Sequence, residues 1–161
     1  EAAAVAGIGS SIDVTVGGCF DPGRFTPLPL TATVRLLSDG NFRSETFGQY
    51  WRAGKTAVLQ AGSITLVVSS RAVSLFDRAL FYAHGQDPRR FDLVVVKSPH
   101  CEPHMFADWC GQLINVDAPG STSANLLSLG HTRCARPVFP LDEKIDFQPA
   151  IEIYQRGHRG S

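Results

Sequence analysis

The chain has 161 residues, of which 43% are hydrophobic and 19% charged, a composition typical of a globular domain and not of a disordered chain. Fifteen basic and fifteen acidic residues cancel, so no basic field favours nucleic acid or an anionic membrane surface as a partner. No apolar run approaches the length of a membrane span. Four irregularly spaced cysteines without a CxxC pair indicate reduced thiols in a cytoplasmic protein, not a disulfide framework.

The first six residues read EAAAVA and lack both an initiator Met and the basic region of a signal peptide. They are typical of the end of an Ala-rich helix. We therefore expect the chain to be a fragment of a longer protein or a product of proteolytic processing.

Alternating apolar and polar residues predict an antiparallel, β-rich first half. The predicted strands are Ser11–Val16, Leu30–Leu37, Phe42–Phe47, Thr56–Gln60 and Ser63–Ser69. Asp39 and Gly40 predict a tight turn before Phe42, because both residue types tolerate the positive φ that hairpins need. Gly62 predicts a second hairpin. Trp51 falls between predicted strands, where it either contacts a partner domain or packs in the core.

Helical spacing alternates with short apolar runs in the second half. The predicted helices are Phe76–His84, Met105–Gln112 and Ser123–Leu129, and the predicted strands are Leu93–Val96, Leu113–Val116 and an edge strand over Asp146–Tyr154. The predicted fold class is therefore α+β (mixed α/β), with the antiparallel β-rich first half followed by a β-α-β-α second half.

Polar and turn-forming residues follow the predicted strands, where open α/β sheets place ligands. These candidates for a site are Arg71, Lys97, Ser98, His100, Asp117, Ser121 and Thr122. Each has an ordinary structural alternative: an ion pair for the arginine, a lysine stem lying along the rim, and plain capping of the next helix by the serines.

The densest group of metal-ligand types is His100, Cys101 and His104, because imidazole and thiolate suit zinc. The spacing is not a standard zinc pattern, and Pro103 interrupts it. A polar loop with histidines facing water is the preferred interpretation. His131 and Cys134 would have to complete such a site across space.

Several short motifs occur in a recognisable order along the chain. They are Gly17-Gly18, Leu36-Leu37-Ser38-Asp39-Gly40, Ser69-Ser70-Arg71, Phe76-Asp77, Val94-Val95-Val96-Lys97-Ser98, Val116-Asp117-Ala118-Pro119-Gly120-Ser121-Thr122 and Arg136-Pro137-Val138-Phe139-Pro140-Leu141-Asp142. Together they resemble the C-terminal domain of the MlrC-like (microcystinase C) metallopeptidase family. The resemblance predicts one domain over residues 1–142 and a C-terminal extension over residues 143–161.

The resemblance implies a two-domain, zinc-dependent peptidase whose metal ligands and catalytic carboxylate lie in a larger N-terminal domain, outside this chain. It therefore implies no catalytic residue, metal or cofactor here, and an N-terminal partner domain of the same protein that acts on a peptide or amide. Arg71, Lys97, Ser98, Ser121 and Thr122 match family positions and become candidates for the domain interface or cleft wall. The family usually has His four positions after that lysine, where this chain has Cys101.

Three hypotheses remain. The preferred one is a C-terminal accessory domain that is inactive alone. The alternative is a stand-alone module that binds a small anionic or peptidic ligand without catalysis. The third is a small metalloprotein built on the three-residue group around Cys101. A separated domain would also expose its former interface, which allows for a homo-oligomer.

Overall fold

The structure is a computed structural model that describes residues 1–18, 22–23, 25–75, 77–96, 104–116, 118, 125–146 and 148–153. The chain divides into two compact units, Glu1–Gly120 and Ser121–Ser161. Within the described residues, no helix is both long enough and apolar enough to cross a membrane. The cytoplasmic location stays a prediction.

The first unit contains a four-stranded antiparallel sheet and a separate two-stranded ribbon. In chain order the elements are α1 (Ala2–Ala6), β1 (Ser11–Val16), β2 (Leu28–Ser38), β3 (Asn41–Arg43), β4 (Tyr50–Arg52), β5 (Thr56–Ala61), β6 (Ile64–Ser69), α2 (Ala79–Ala83), a 3-10 turn (Pro88–Arg90) and α3 (His104–Ala107). The sheet has the strand order β1-β2-β5-β6, and β3 pairs with β4 in the ribbon. All of these pairings are antiparallel.

One face of the sheet holds the first hydrophobic core. Val34 on β2 is fully buried and packs with Ala32, with Leu59 on β5 and with Ala3 on α1. The β2 strand bulges between Val34 and Leu36, so the intervening Arg35 lies exposed without a β5 partner. The alternation of apolar residues that predicts the strands therefore also predicts which side chains form this core.

A second core joins the ribbon to helix α2. Phe42 on β3 packs with Ala53 and with Ala79 and Leu80 of α2, and the half-buried Trp51 on β4 packs against this group. Trp51 therefore packs in the core, which is one of the two alternatives that the sequence left open.

Gly40 and Gly54 lie where the chain segments before and after the ribbon approach closely. A Cβ on Gly40 would overlap the carbonyl oxygen of Gly54 and would lie 2.6 Å from Oγ1 of Thr56. Gly40 also has φ of +69°, which L side chains rarely adopt. The Ala53 N–H donates to the Gly40 carbonyl at 2.9 Å, which fixes this approach. Position 40 therefore accommodates only glycine.

The first half confirms the α+β class and most of the predicted strands. The β5–β6 hairpin turns at Gly62 as predicted. The predicted hairpin at Gly40 is wrong: β3 has only three residues and pairs with β4, whereas β2 pairs with β1 and β5. Ser38 and Asp39 explain the difference, because their side chains bond the N–H groups of Gly40 and Asn41 and direct the chain out of the sheet.

The second half has fewer regular elements than predicted. Leu93–Val96 and Leu113–Val116 are not strands in the structure, because no described strand pairs with either. The predicted edge strand over Asp146–Tyr154 is also absent from its described residues, 146 and 148–153. Helix α3 is shorter than the predicted Met105–Gln112, and α2 covers only the later part of its predicted range.

The second unit contains a 3-10 turn, Leu126–Leu129, that ends at Gly130 in the left-handed conformation, as predicted for a helix stop. Its second feature is a clamp between Arg136 and Asp142. The arginine Nε donates to the Asp142 carboxylate at 2.6 Å, and the Val138 N–H donates to it at 2.7 Å. The predicted domain boundary at residue 142 stays a prediction.

Candidate functional site

Most residues predicted for a site cannot be placed. Lys97, Ser98, His100, Asp117, Ser121 and Thr122, together with Cys101 of the alternative metal group, lie outside the described residues. His104 begins helix α3, but its side chain lies outside the described part as well. The structure therefore does not test whether these strand-end side chains come together.

Arg71 is the one predicted site residue whose side chain the structure describes. It follows the end of β6, where its N–H donates to the Ala53 carbonyl at 2.9 Å and its own carbonyl accepts from the Ser69 hydroxyl at 2.8 Å. The side chain is exposed, and its stem passes over Gly54, where a Cβ would lie 3.1 Å from Cγ of Arg71. No described carboxylate forms an ion pair with Arg71.

This geometry suits recognition of a carboxylate. A backbone held at both its N–H and its carbonyl fixes where the side chain begins, while the guanidinium remains open to solvent. A planar guanidinium binds a carboxylate through two parallel hydrogen bonds. The structural alternative, an intradomain ion pair, is not found among the described residues.

A buried carboxylate, Asp77, organises the chain just before α2. Its Oδ2 accepts from the Ser44 hydroxyl at 2.6 Å and from the Thr46 N–H at 3.0 Å, and Oδ1 accepts from the Ala79 N–H at 2.9 Å. Burial alone raises the pKa of Asp77, but these hydrogen bonds outweigh it and hold the pKa below its usual value. The carboxylate therefore stays ionised and ties the β3–β4 loop to the start of α2.

The sequence places Asp77 near a helix start, which is the signal for a cap, but it does not show the link to Ser44. Next to Asp77, Arg78 forms an ion pair with Glu45 at 3.2 Å on the protein surface. Both contacts hold the same loop. Asp77 is therefore a structural carboxylate: it is buried, and both of its oxygens accept from protein donors.

A second buried polar pair links β2 to α2, and sequence reasoning did not single it out. His84, which is 1% exposed, has Nδ1 2.6 Å from the Leu80 carbonyl and Nε2 2.9 Å from the Ser38 hydroxyl. Because a carbonyl only accepts, Nδ1 carries the hydrogen, and Nε2 of a neutral ring accepts from the serine. The Gly40 N–H donates to that same serine oxygen at 3.0 Å.

A serine that donates to a histidine also occurs in nucleophilic catalysis. Here the ring is buried, its other nitrogen meets a helix carbonyl in place of a carboxylate, and the serine oxygen already accepts from a backbone N–H. The Ser38–His84 pair is therefore a structural bridge. The only sequence signal for it is a histidine four residues after Leu80 at the end of a predicted helix.

Metal-ligand types do not converge within the described part of the chain: no three side chains of His, Cys, Asp or Glu form a group there. A shallow depression of about 450 Å³ lies over β1 and β2. Asp13 is the charged residue in its lining, and it already accepts from the Thr31 hydroxyl at 2.6 Å. This depression offers no free set of ligand-binding groups.

Comparisons with known proteins place this fold in a family. The family described as MlrC C-terminus matches residues 1–133. None of the curated proteins compared with the chain matches it. A crystal structure from Mesorhizobium sp. BNC1, described as a "putative metallopeptidase", superimposes with a TM-score of 0.76 at 30% sequence identity.

The superposition covers 91% of this chain but 29% of the Mesorhizobium protein, so the chain spans less than a third of that protein's length. The family match covers residues 1–133, which contain the sheet, the ribbon and Arg71, and the structural match covers most of the chain. They confirm the resemblance inferred from the order of motifs. The chain belongs to the MlrC C-terminus family.

Proposed function

We propose that this chain is the C-terminal domain of a zinc-dependent peptidase or amidohydrolase of the MlrC type, and that it supports or closes over an N-terminal catalytic domain of the same polypeptide. The family match over residues 1–133 carries the proposal. The structural match supports it, because a protein described as a "putative metallopeptidase" contains this fold as 29% of a longer chain.

The proposal assigns the zinc ligands and the general base to the partner domain. A catalytic zinc site needs about three converging protein ligands and an open position. The described part of this chain offers no such set, and both oxygens of its buried carboxylate, Asp77, accept hydrogen bonds from protein donors. The chain itself contributes packing and polar groups that orient the substrate, and the reaction class is hydrolysis of a peptide or amide bond.

Arg71 is the described residue best suited to face the partner domain or the substrate. Its backbone is fixed at two points and its guanidinium is free of described carboxylates. We assign it to the cleft wall, where it binds a carboxylate of the substrate or of the partner domain. The remaining residues assigned to this wall, from outside the described part, are Lys97, Ser98, His100, Asp117, Ser121 and Thr122.

The test compares the purified 161-residue chain with the full-length protein that contains it, using a mixture of short peptides as substrate. The proposal expects hydrolysis by the full-length protein, loss of hydrolysis with a chelator, recovery with added zinc, and no hydrolysis by the chain alone. Chelator-resistant hydrolysis, or hydrolysis by the chain alone, would contradict it. Saturable ligand binding by a natural protein without an upstream catalytic domain would favour the alternative, a stand-alone binding module.

A further inference from the structure

Two segments of the first unit expose apolar side chains to an unusual extent. In residues 92–96, Leu93 and Val95 are 75% and 78% exposed. In residues 112–116, Ile114 and Val116 are 67% and 77% exposed. We refer to residues 92–96 and 112–116 as the two apolar segments. Single exposed apolar residues are normal, but several within each of two short segments indicate a contact surface.

The backbone of the two apolar segments also has no partner in the described part of the chain. Among the described residues, none forms a backbone hydrogen bond with residues 92–96 or 112–116. Both sequences, DLVVV and QLINV, are rich in the β-branched residues that favour strands. They therefore have the composition of strands, but no partner strand meets them within the described ranges.

Exposure in residues 92–96 alternates as it does along a strand. Leu93 and Val95 are exposed, while Val94 and Val96 are half-buried. A partner that covered only the side chains would also bury backbone N–H and carbonyl groups, and unpaired buried groups cost free energy. Strand addition satisfies both requirements, because the partner supplies backbone hydrogen bonds and an apolar face together.

We propose that the two apolar segments dock as added β-strands on the catalytic domain of the same polypeptide, an inference that rests on the proposed function. The length of chain outside this region identifies the occupant: more than two thirds of the Mesorhizobium protein lies outside the matched part. A domain on the same chain is present at high effective concentration and needs no second molecule. Asp92 is the single charged residue in the two segments, which suits a dry interface.

Hydrogen–deuterium exchange tests the proposal on the 161-residue chain and on the full-length protein. The amides of the two apolar segments should exchange rapidly in the chain alone and about a hundredfold more slowly in the full-length protein. The amides of β5, which pair on both sides within this chain, should be protected in both proteins. Rapid exchange of the two segments in the full-length protein would overturn the proposal.

A charged substitution tests the docked face. In the full-length protein, Val95→Lys should restore rapid exchange in residues 92–96 while β5 stays protected, which shows that the domain is still folded. The matched control is Ile64→Lys, at a residue that is 60% exposed at the start of β6. It should leave the exchange of the two segments unchanged. Equal protection in the wild-type protein and the Val95→Lys variant would overturn the proposal.

The remaining outcomes separate this inference from the proposed function. Protection that grows with concentration in the isolated 161-residue chain would identify a second copy as the occupant and overturn the proposal. Chelator-sensitive hydrolysis by a full-length protein whose two segments exchange rapidly would refute the docking surface alone. Protected segments in a full-length protein without hydrolase activity would refute the proposed function and support the docking surface.

Discussion

The buried carboxylate of Asp77 should be one of the most sensitive positions for stability. In an Asp77→Ala variant, three donors lose their acceptor: the hydroxyl of Ser44 and the N–H groups of Thr46 and Ala79. Each buried donor left without a partner costs about 1–3 kcal/mol. The Ser44 hydroxyl can rotate to reduce its share, so we expect the free energy of unfolding to fall by about 3–5 kcal/mol, a large part of the stability of an ordinary domain.

The Asp77→Asn variant refines this expectation. One amide oxygen can still accept the two bonds now made by Oδ2, but the amide nitrogen would then face the N–H of Ala79. The free energy of unfolding should therefore fall by less than in Asp77→Ala, by about 1–3 kcal/mol. The assay is urea-induced unfolding of the chain followed by circular dichroism. The matched control is Asp108→Ala, because the Asp108 side chain is exposed and its carboxylate forms no ion pair with another described residue.

The pH dependence follows from the direction of the pKa shift. The pKa of Asp77 is lowered in the folded protein, so its stabilisation is fully present above its ordinary pKa and declines as the pH falls through the folded value. The difference in the free energy of unfolding between the wild-type protein and the Asp77→Ala variant should therefore become smaller below about pH 4. A decrease of less than about 1 kcal/mol in the free energy of unfolding of Asp77→Ala at neutral pH would refute the reasoning, because even one unsatisfied buried donor costs about that much.

Three further predictions concern other parts of the chain. In the same urea assay, Gly40→Ala should lower the free energy of unfolding by more than the roughly 1–2 kcal/mol cost of a left-handed conformation, because the new Cβ would overlap the backbone. Gly62→Ala, which has open space around its Cβ, should show the conformational cost alone. The carboxyl of Asp142 should titrate with a pKa of about 2 by NMR, because hydrogen bonds from Arg136 lower it, and a midpoint near 4 would contradict the clamp. If the full-length protein is the proposed hydrolase, Arg71→Ala should lower its kcat/KM about ten- to a hundredfold, and Arg71→Lys should not restore it. Arg35→Ala, at the exposed bulge, should leave kcat/KM unchanged.

The local parts of the fold were predictable from the sequence. The β5–β6 hairpin turns within two residues at Gly62, and the alternation in β1 and β2 marks their buried faces. In each case the evidence lies within a few neighbouring residues. The stop of the 3-10 turn at Gly130 was predictable for the same reason.

The misassigned elements depend on contacts that the sequence does not display. The turn at Gly40 has the composition of a hairpin, but the Ser38 hydroxyl accepts from the Gly40 N–H, and the Gly40 carbonyl accepts from the Ala53 N–H. These contacts direct the chain away from a hairpin. The apolar runs Leu93–Val96 and Leu113–Val116 have strand composition, yet a strand exists only where a partner strand meets it. Their exposure in this chain is what the proposed docking surface explains.

The candidate site was predictable only as a set of residue types at strand ends. Arg71 was identified because it follows β6, but its fixed backbone and free guanidinium could be seen only in the structure. His84 and Asp77 carry the buried polar contacts, and both are linked to residues more than thirty positions away. Contacts over such separations leave no periodic pattern in the sequence.

Elemental analysis of the purified 161-residue chain, with peptidase activity measured on the same sample, tests the central claim most directly. The account predicts neither tightly bound zinc nor peptide hydrolysis, because it assigns the metal ligands and the general base to the partner domain. One zinc per chain, lost in a His104→Ala variant, would contradict the account. That result would show a metal site within this chain, around His100, Cys101 and His104.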